Sequence, residues 1–182
     1  MLLEFDSLEL LDFPKLMEVY YESNTENAAA FFPDETDPEK GRRLVEQKFY
    51  DYLKNDFFRR EGVRYYALEE GDKWVSAIRL FPVSRSDDEK PEAGSPKVWY
   101  AEALETAPLC RRKGFTRKMM ALLFDRLGSE DPFEITDTVG KTNDSSLQFH
   151  LDCGFEIYLD PACCVLNGKI NEKAVTMRYR SR

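Results

Sequence analysis

The chain is poor in the residues from which metal sites and disulfide frameworks are built. Its 182 residues include one histidine, His150, and four cysteines, Cys110, Cys153, Cys163 and Cys164, the last two adjacent. That spacing suits neither the usual disulfide framework nor a CxxC metal knuckle, and a zinc site with one histidine would need unusual ligands. Reduced cysteines without a redox or metal role are the expectation. No run approaches the roughly 20 apolar residues of a bilayer helix, and the start, MLLEFDSLELLDF, lacks the basic flank and small-residue cleavage site of a signal peptide. The chain therefore reads as soluble and cytoplasmic, without a membrane partner. Positive charge is also in deficit: 26 Lys and Arg stand against 34 Asp and Glu, a formal net charge of −8. That balance argues against a general nucleic-acid binder, which needs a net basic face. Neither a P-loop nor a GxGxxG fingerprint occurs.

What is present is enough apolar and aromatic material, 42% and 13% of residues, for one compact domain over residues 1–182. Residues 2–5 read as a short strand. Helical spacing runs from Ser7 to Tyr21, with Pro14 near a helix start or break. Asp37 and Pro38 read as the cap and first position of a long helix through about Arg60, with Val45, Phe49, Tyr52, Leu53 and Phe57 as its stripe. Val63–Leu68 and Lys73–Phe81 form an expected antiparallel hairpin, the polar stretch Ser84–Lys97 a mobile loop, and Val98–Thr106 a strand. A helix is expected from about Arg112 to Leu127, with Gly128 as its C′ residue, then a strand Phe133–Val139. Asn143 caps a short helix, Asp144–Asp152, which Gly154 ends before strands Phe155–Leu159 and Ala174–Tyr179. Helices and strands without regular βα alternation imply an α+β class around a mostly antiparallel sheet.

Against the acidic background, "LCRRKGFTRKMM" concentrates Arg111, Arg112, Lys113, Arg117 and Lys118 around Gly114. A strand, a glycine-containing basic turn and a helix start suit phosphate. First-turn amides lack intrahelical partners, the dipole is positive there, and glycine lets a ligand approach the backbone. The alternative is a solvated helix face, although cations at a helix N-terminus oppose the dipole.

"LETAPLCRRKGFT" resembles the acetyl-CoA signature of the GCN5-related N-acetyltransferases (GNAT), with Arg111 at the Arg/Gln position and Gly114 at the first glycine. Thr116 replaces the second small residue. "NDSSLQFHLDCGF" resembles the family's later segment: Asn143, Gly154 and Phe155 match, Ser146 takes a small-residue position, and His150 stands where a tyrosine is usual. The resemblance implies the acyl-CoA N-acyltransferase fold, a mostly antiparallel, splayed mixed sheet of about seven strands flanked by helices. It also implies acetyl-CoA as co-substrate and no metal. Pantetheine would be bound through backbone groups of Leu104 and Thr106. Arg111, Arg112, Lys113, Gly114, Phe115 and Thr116 would take the pyrophosphate, and Asn143, with Ser146 beside it, the pantetheine arm or its neighbourhood.

The implied reaction is direct attack of an amine on the thioester in a ternary complex. An alkylamine titrates near ~10.4, so a base or water chain is needed. Glu102 and Glu105 qualify, and strand alternation puts them on opposite faces unless a bulge intervenes, as the family's strand typically has. Glu102 is preferred as base or water anchor. The oxyanion would be held by a strand amide. His150 shares a helix face with Asn143, Ser146 and Leu147. It either protonates the leaving thiolate as imidazolium, with a reference pKa of ~6.5 unless a carboxylate raises it, or only fills the tyrosine's space. Glu22, Glu26, Asp34, Glu35, Asp37 and Glu39 suggest an acceptor wall for a small cationic, lysine-like or N-terminal amine. Phe31 and Phe32 with Pro33 suggest an aromatic lid or a loop anchor. The competing function is a non-catalytic acyl-CoA-binding or regulatory module. A small-molecule or peptide amine is the expected partner, with the protein a monomer or homodimer and no nucleic acid bound.

Overall fold

A computed structural model describes residues 1–83 and 95–181. Most of the expected loop, Ser84–Lys97, lies outside the described residues. The strands are β1 (Leu2–Phe5), β2 (Arg64–Glu70), β3 (Lys73–Pro82), β4 (Lys97–Thr106), β5 (Phe133–Gly140), β6 (Glu156–Leu159), β7 (Ala162–Cys163), β8 (Ile170–Asn171) and β9 (Ala174–Arg180). The helices are α1 (Phe13–Val19), α2 (Tyr21–Phe31), α3 (Pro38–Asn55), α4 (Phe115–Gly128) and α5 (Asp144–Asp152). Seven strands form one sheet in the order β1-β2-β3-β4-β5-β9-β6, and β7 pairs with β8. The β4–β5 pair is parallel, while β1–β2, β5–β9 and β6–β9 are antiparallel, giving the mixed, mostly antiparallel sheet flanked by helices.

Several expected boundaries move, each for a local reason. The span from Ser7 to Tyr21 is not one helix. Asp12 accepts the Lys15 N–H at 3.2 Å and opens α1 with Pro14 in its first turn, and the chain re-enters a helix at Tyr21. α2 has little apolar periodicity, with only Asn24 and Ala28 buried. α3 ends at Asn55 because Asp56 leaves the helical region, at φ −128° and ψ −66°. α4 starts at Phe115 rather than Arg112, since Arg112 and Gly114 both have positive φ, 61° and 78°. Gly128 is its last helical residue rather than a residue beyond it.

The chain forms two compact units, one of residues 1–79 with 103–119, the other of 80–102 with 120–182. The first buries Leu16, Leu53, Phe57, Tyr65 and Leu68. Edge-on aromatic contacts tie Tyr20 to Phe49 of α3 at 5.4 Å, and Phe57, in the 3₁₀ turn after α3, to Tyr65 of β2 at 5.8 Å. The second buries Trp99, Leu123, Leu127, Ile135 and Met177. There Phe124 stacks on Tyr179 at 4.0 Å.

One irregularity interrupts the regular course of β4 beside β3. Ala107 N–H bonds the Val75 carbonyl and Val83 N–H the Val98 carbonyl. The β4 span between those pairs is one residue longer than the β3 span, so β4 carries an extra residue. Ala103, at φ 54°, is that bulge.

Candidate functional site

In the first unit, a 3₁₀ turn at Pro108–Cys110 follows β4 and leads into the basic turn. The Lys118 N–H is bonded to the Gly114 carbonyl at 2.9 Å, so the amides ahead of it have no intrahelical acceptor. A Cβ built on Gly114 would meet nothing within 4 Å, so the ground in front of this glycine is open to a ligand. Its φ of 78° favours glycine on conformational grounds as well. Thr116 meets Thr106 hydroxyl to hydroxyl at 2.6 Å, joining the end of β4 to the start of α4. Arg111, Arg112 and Lys113 are all exposed, and Arg111 reaches back along the protein surface. Its Nε donates to the Thr106 carbonyl at 3.3 Å and its Nη2 to Glu105 Oε1 at 3.2 Å, while Nη1 pairs with Glu22. Lys118 pairs with Glu70 at 2.7 Å.

The Ala103 kink falls between the two acids considered as bases. Strict alternation therefore fails there, as the resemblance implies. Burial raises the pKa of Glu105 above the usual carboxylate range, opposed by its hydrogen bond to Ser23 and by the Arg111 charge. Glu102, Leu104 and Thr106 are half-buried.

In the second unit, Asn143 caps α5, its side-chain oxygen accepting the Ser146 N–H at 3.1 Å. Four residues further on, His150 is buried, with a side chain 3% exposed. Its Nδ1 lies 2.7 Å from the Ser146 carbonyl oxygen and its Nε2 lies 3.1 Å from Asp137 Oδ2. A carbonyl and a carboxylate both accept, so this setting favours a proton on each ring nitrogen. Burial opposes that charge, but Asp137 and the Ser146 carbonyl outweigh it and raise the His150 pKa above its ordinary value. Asp137 Oδ1 also accepts the Thr138 N–H at 2.6 Å. The Tyr100 hydroxyl donates to Thr138 at 3.3 Å, and burial, with the nearby charges of Glu102 and Asp137, raises its pKa to about 12. Asp137 belongs to no motif that sequence reasoning singles out. Its one signal is an acid in the middle of an otherwise strand-forming run, FEITDTVG.

The acidic segment is less uniform than its composition suggests. Glu22 and Glu26 lie on α2, Glu35 pairs with Lys40 at 2.6 Å, Glu39 with Arg42 at 2.9 Å, and Asp37 is the cap of α3. The Lys48 ammonium sits over Phe31 and Phe32, 5.1 and 5.3 Å from the ring centres. Among the described residues, no group of three or more His, Cys, Asp or Glu is placed to hold a metal ion. No helix among them is long and apolar enough to cross a membrane.

A family model described as "Acetyltransferase (GNAT) family" matches residues 17–155. No curated protein matches the sequence. Among solved structures, the PaiA N-acetyltransferase of Thermoplasma acidophilum, in complex with coenzyme A, is similar at TM-score 0.62 and 14% identity, covering 100% of this chain and 99% of the other. The ribosomal-protein-alanine N-acetyltransferase of Brucella melitensis is similar at 0.57 and 18%, covering 98% and 99%. The spermidine N-acetyltransferase of Vibrio cholerae, in complex with CoA and spermine, is similar at 0.57 and 15%, covering 98% and 95%.

Proposed function

This chain belongs to the acetyltransferase (GNAT) family, and we propose that it transfers the acetyl group of acetyl-CoA to a cationic amine by direct attack in a ternary complex. The acceptor is a small amine or a lysine-like or N-terminal amine. We read residues 1–182 as a single N-acetyltransferase domain, a reading supported by a family match that runs across residues 17–155.

The observation that carries the donor half is the turn before α4. Its open glycine, first-turn amides without intrahelical acceptors and flanking cations suit a pyrophosphate. Residues Arg111, Arg112, Lys113, Gly114, Phe115 and Thr116 hold it in this reading, with the amides as cradle and the side chains as a supporting field. Backbone groups of Leu104 and Thr106 hold the pantetheine arm. Glu102 is the base or water anchor that removes the ammonium proton. The amide that follows the Ala103 kink receives the oxyanion.

His150 is the proposed source of the proton for the leaving thiolate. In this reading the His150 imidazolium gives up a ring proton to the departing sulfur and is reprotonated from solvent, with Asp137 holding the ring. The amine nitrogen gains the acetyl carbon as the carbon–sulfur bond breaks, and the amine's second proton leaves to solvent.

The formal charge of −8 supports a cationic acceptor by raising its local concentration. The internal pairing of Glu22, Glu35 and Glu39 narrows the acids on which that argument rests.

The test has two arms. Acetyl-CoA and CoA raise the thermal midpoint, and an amine panel with a thiol reagent reports CoA release. No shift with acetyl-CoA, CoA or longer acyl-CoAs overturns the reading. Tight binding without turnover on any amine moves the chain to the non-catalytic class.

A further inference from the structure

Attack on a thioester moves negative charge onto its carbonyl oxygen, and a donor already aimed at that oxygen lowers the barrier most. Where the donor is a backbone amide, its direction is fixed by whatever holds the peptide group behind it. Resting on the acetyl-transfer reading above, we propose that Tyr20 is the positioning residue that aims the Leu104 amide at the thioester oxygen by holding the Ala103 carbonyl.

Tyr20 occupies the joint between α1 and α2 and is 5% exposed. Its hydroxyl donates to the Ala103 carbonyl at 2.6 Å and accepts from the Tyr65 hydroxyl at 2.9 Å. The Tyr20 proton is directed by the Ala103 carbonyl alone. Burial pushes the Tyr20 pKa up to about 12 against the opposing Arg79 charge, so the hydroxyl remains a donor at neutral pH. Arg79 lies over the rings of Phe49 and Tyr52 at 5.2 and 5.1 Å, and the Tyr20 ring meets Phe49 edge-on at 5.4 Å.

The next amide is affected in two ways. In a trans peptide the carbonyl and the following N–H point opposite ways, so a carbonyl drawn to Tyr20 turns the Leu104 N–H away from it. A donor on the carbonyl also polarises the peptide group and strengthens its N–H as a donor. The hold is needed because Ala103, at φ 54°, sits in a region a non-glycine residue leaves when nothing restrains it.

Tyr20→Phe removes the hydroxyl and keeps the ring. Losing an oxyanion donor outright costs about a hundredfold or more in kcat, so misaiming one lowers kcat about tenfold here. The Kd for CoA, which has no acetyl carbonyl, stays within about twofold, and the carbonyl stretch of bound ¹³C-acetyl-CoA rises towards its solution value. Tyr65→Phe leaves the Tyr20–Ala103 bond intact and keeps both kcat and frequency. An encoded 3,5-difluorotyrosine at position 20, a stronger donor of nearly the same shape, moves the frequency the other way and keeps the test open if Tyr20→Phe does not fold. Wild-type kcat and frequency in Tyr20→Phe overturn the assignment, as does an unmoved frequency in the fluorinated protein. So does a loss of kcat shared equally by Tyr65→Phe and tracking a common fall in Tm. Failure of the wild-type protein to bind acetyl-CoA or transfer its acetyl group strikes the reaction itself, and this assignment with it.

Discussion

Asp137→Asn converts the buried ion pair into a buried imidazole beside a neutral amide, and the structure fixes the sign of the resulting change in stability with pH. In the native protein the His150 pKa is raised by Asp137 and the Ser146 carbonyl, against burial. The folded state then binds more protons than the unfolded one between the two pKa values. The stability from this group is fully present below the unfolded value of ~6.5 and is lost as pH rises through the folded pKa. Without the carboxylate, burial becomes the leading influence and depresses the pKa, so stability instead rises with pH in a window below the unfolded value of ~6.5. Each slope is bounded at about 1.4 kcal/mol per pH unit for one proton. Breaking a buried pair costs about 3–5 kcal/mol, and Asp137 at 14% exposed puts this one at the lower end, about 3 kcal/mol at pH 5. For a chain of this size that is roughly 6–12 °C in Tm. The assay is Tm or urea unfolding from pH 5 to 8 for wild type, Asp137→Asn and His150→Phe, read as differences so that other carboxylates cancel. Parallel curves for wild type and Asp137→Asn would refute the charged-pair argument.

The remaining predictions touch the donor turn and the chemistry. His150→Phe lowers turnover strongly with little change in acetyl-CoA affinity; a pH–rate profile identical to wild type sinks the proton-donor role. Gly114→Ala costs about 1–2 kcal/mol, because φ is 78° and an L side chain is strained there, and it weakens CoA binding measured by calorimetry. Glu22→Gln frees Arg111 from one competing carboxylate and tightens CoA about two- to fivefold at low salt, an effect that disappears at high salt; unchanged affinity shows that the pair does not compete. Asn143→Ala removes the cap of α5 and lowers stability by about 1 kcal/mol, read by urea unfolding.

How much of the fold is legible in the sequence depends on how local each signal is. The cap at Asn143 and the positive φ of 88° at Gly154 bracket α5, and both are carried by single residues with strong backbone preferences. The strands β1, β3, β4 and β9 likewise announce themselves by short-range pattern. α2 does not, because its stability rests on packing against α3 rather than on a stripe of its own, and β7 and β8 are too short for any period. The site divides in the same way. Gly114 and the cations are legible as a turn that suits an anion, yet the turning of Arg111 onto Glu22 and Glu105 depends on α2 and β4, which only the fold brings to it. The charge on His150 is the sharpest instance. From the sequence alone, its reference pKa leaves a minority of imidazolium near neutrality, because the carboxylate that matters lies 13 residues away on β5. Nothing in the spacing of Asp137 and His150 marks them as a pair. Their meeting depends on β5 and α5 packing together, so the protonation state on which the proposed chemistry turns is a property of tertiary structure.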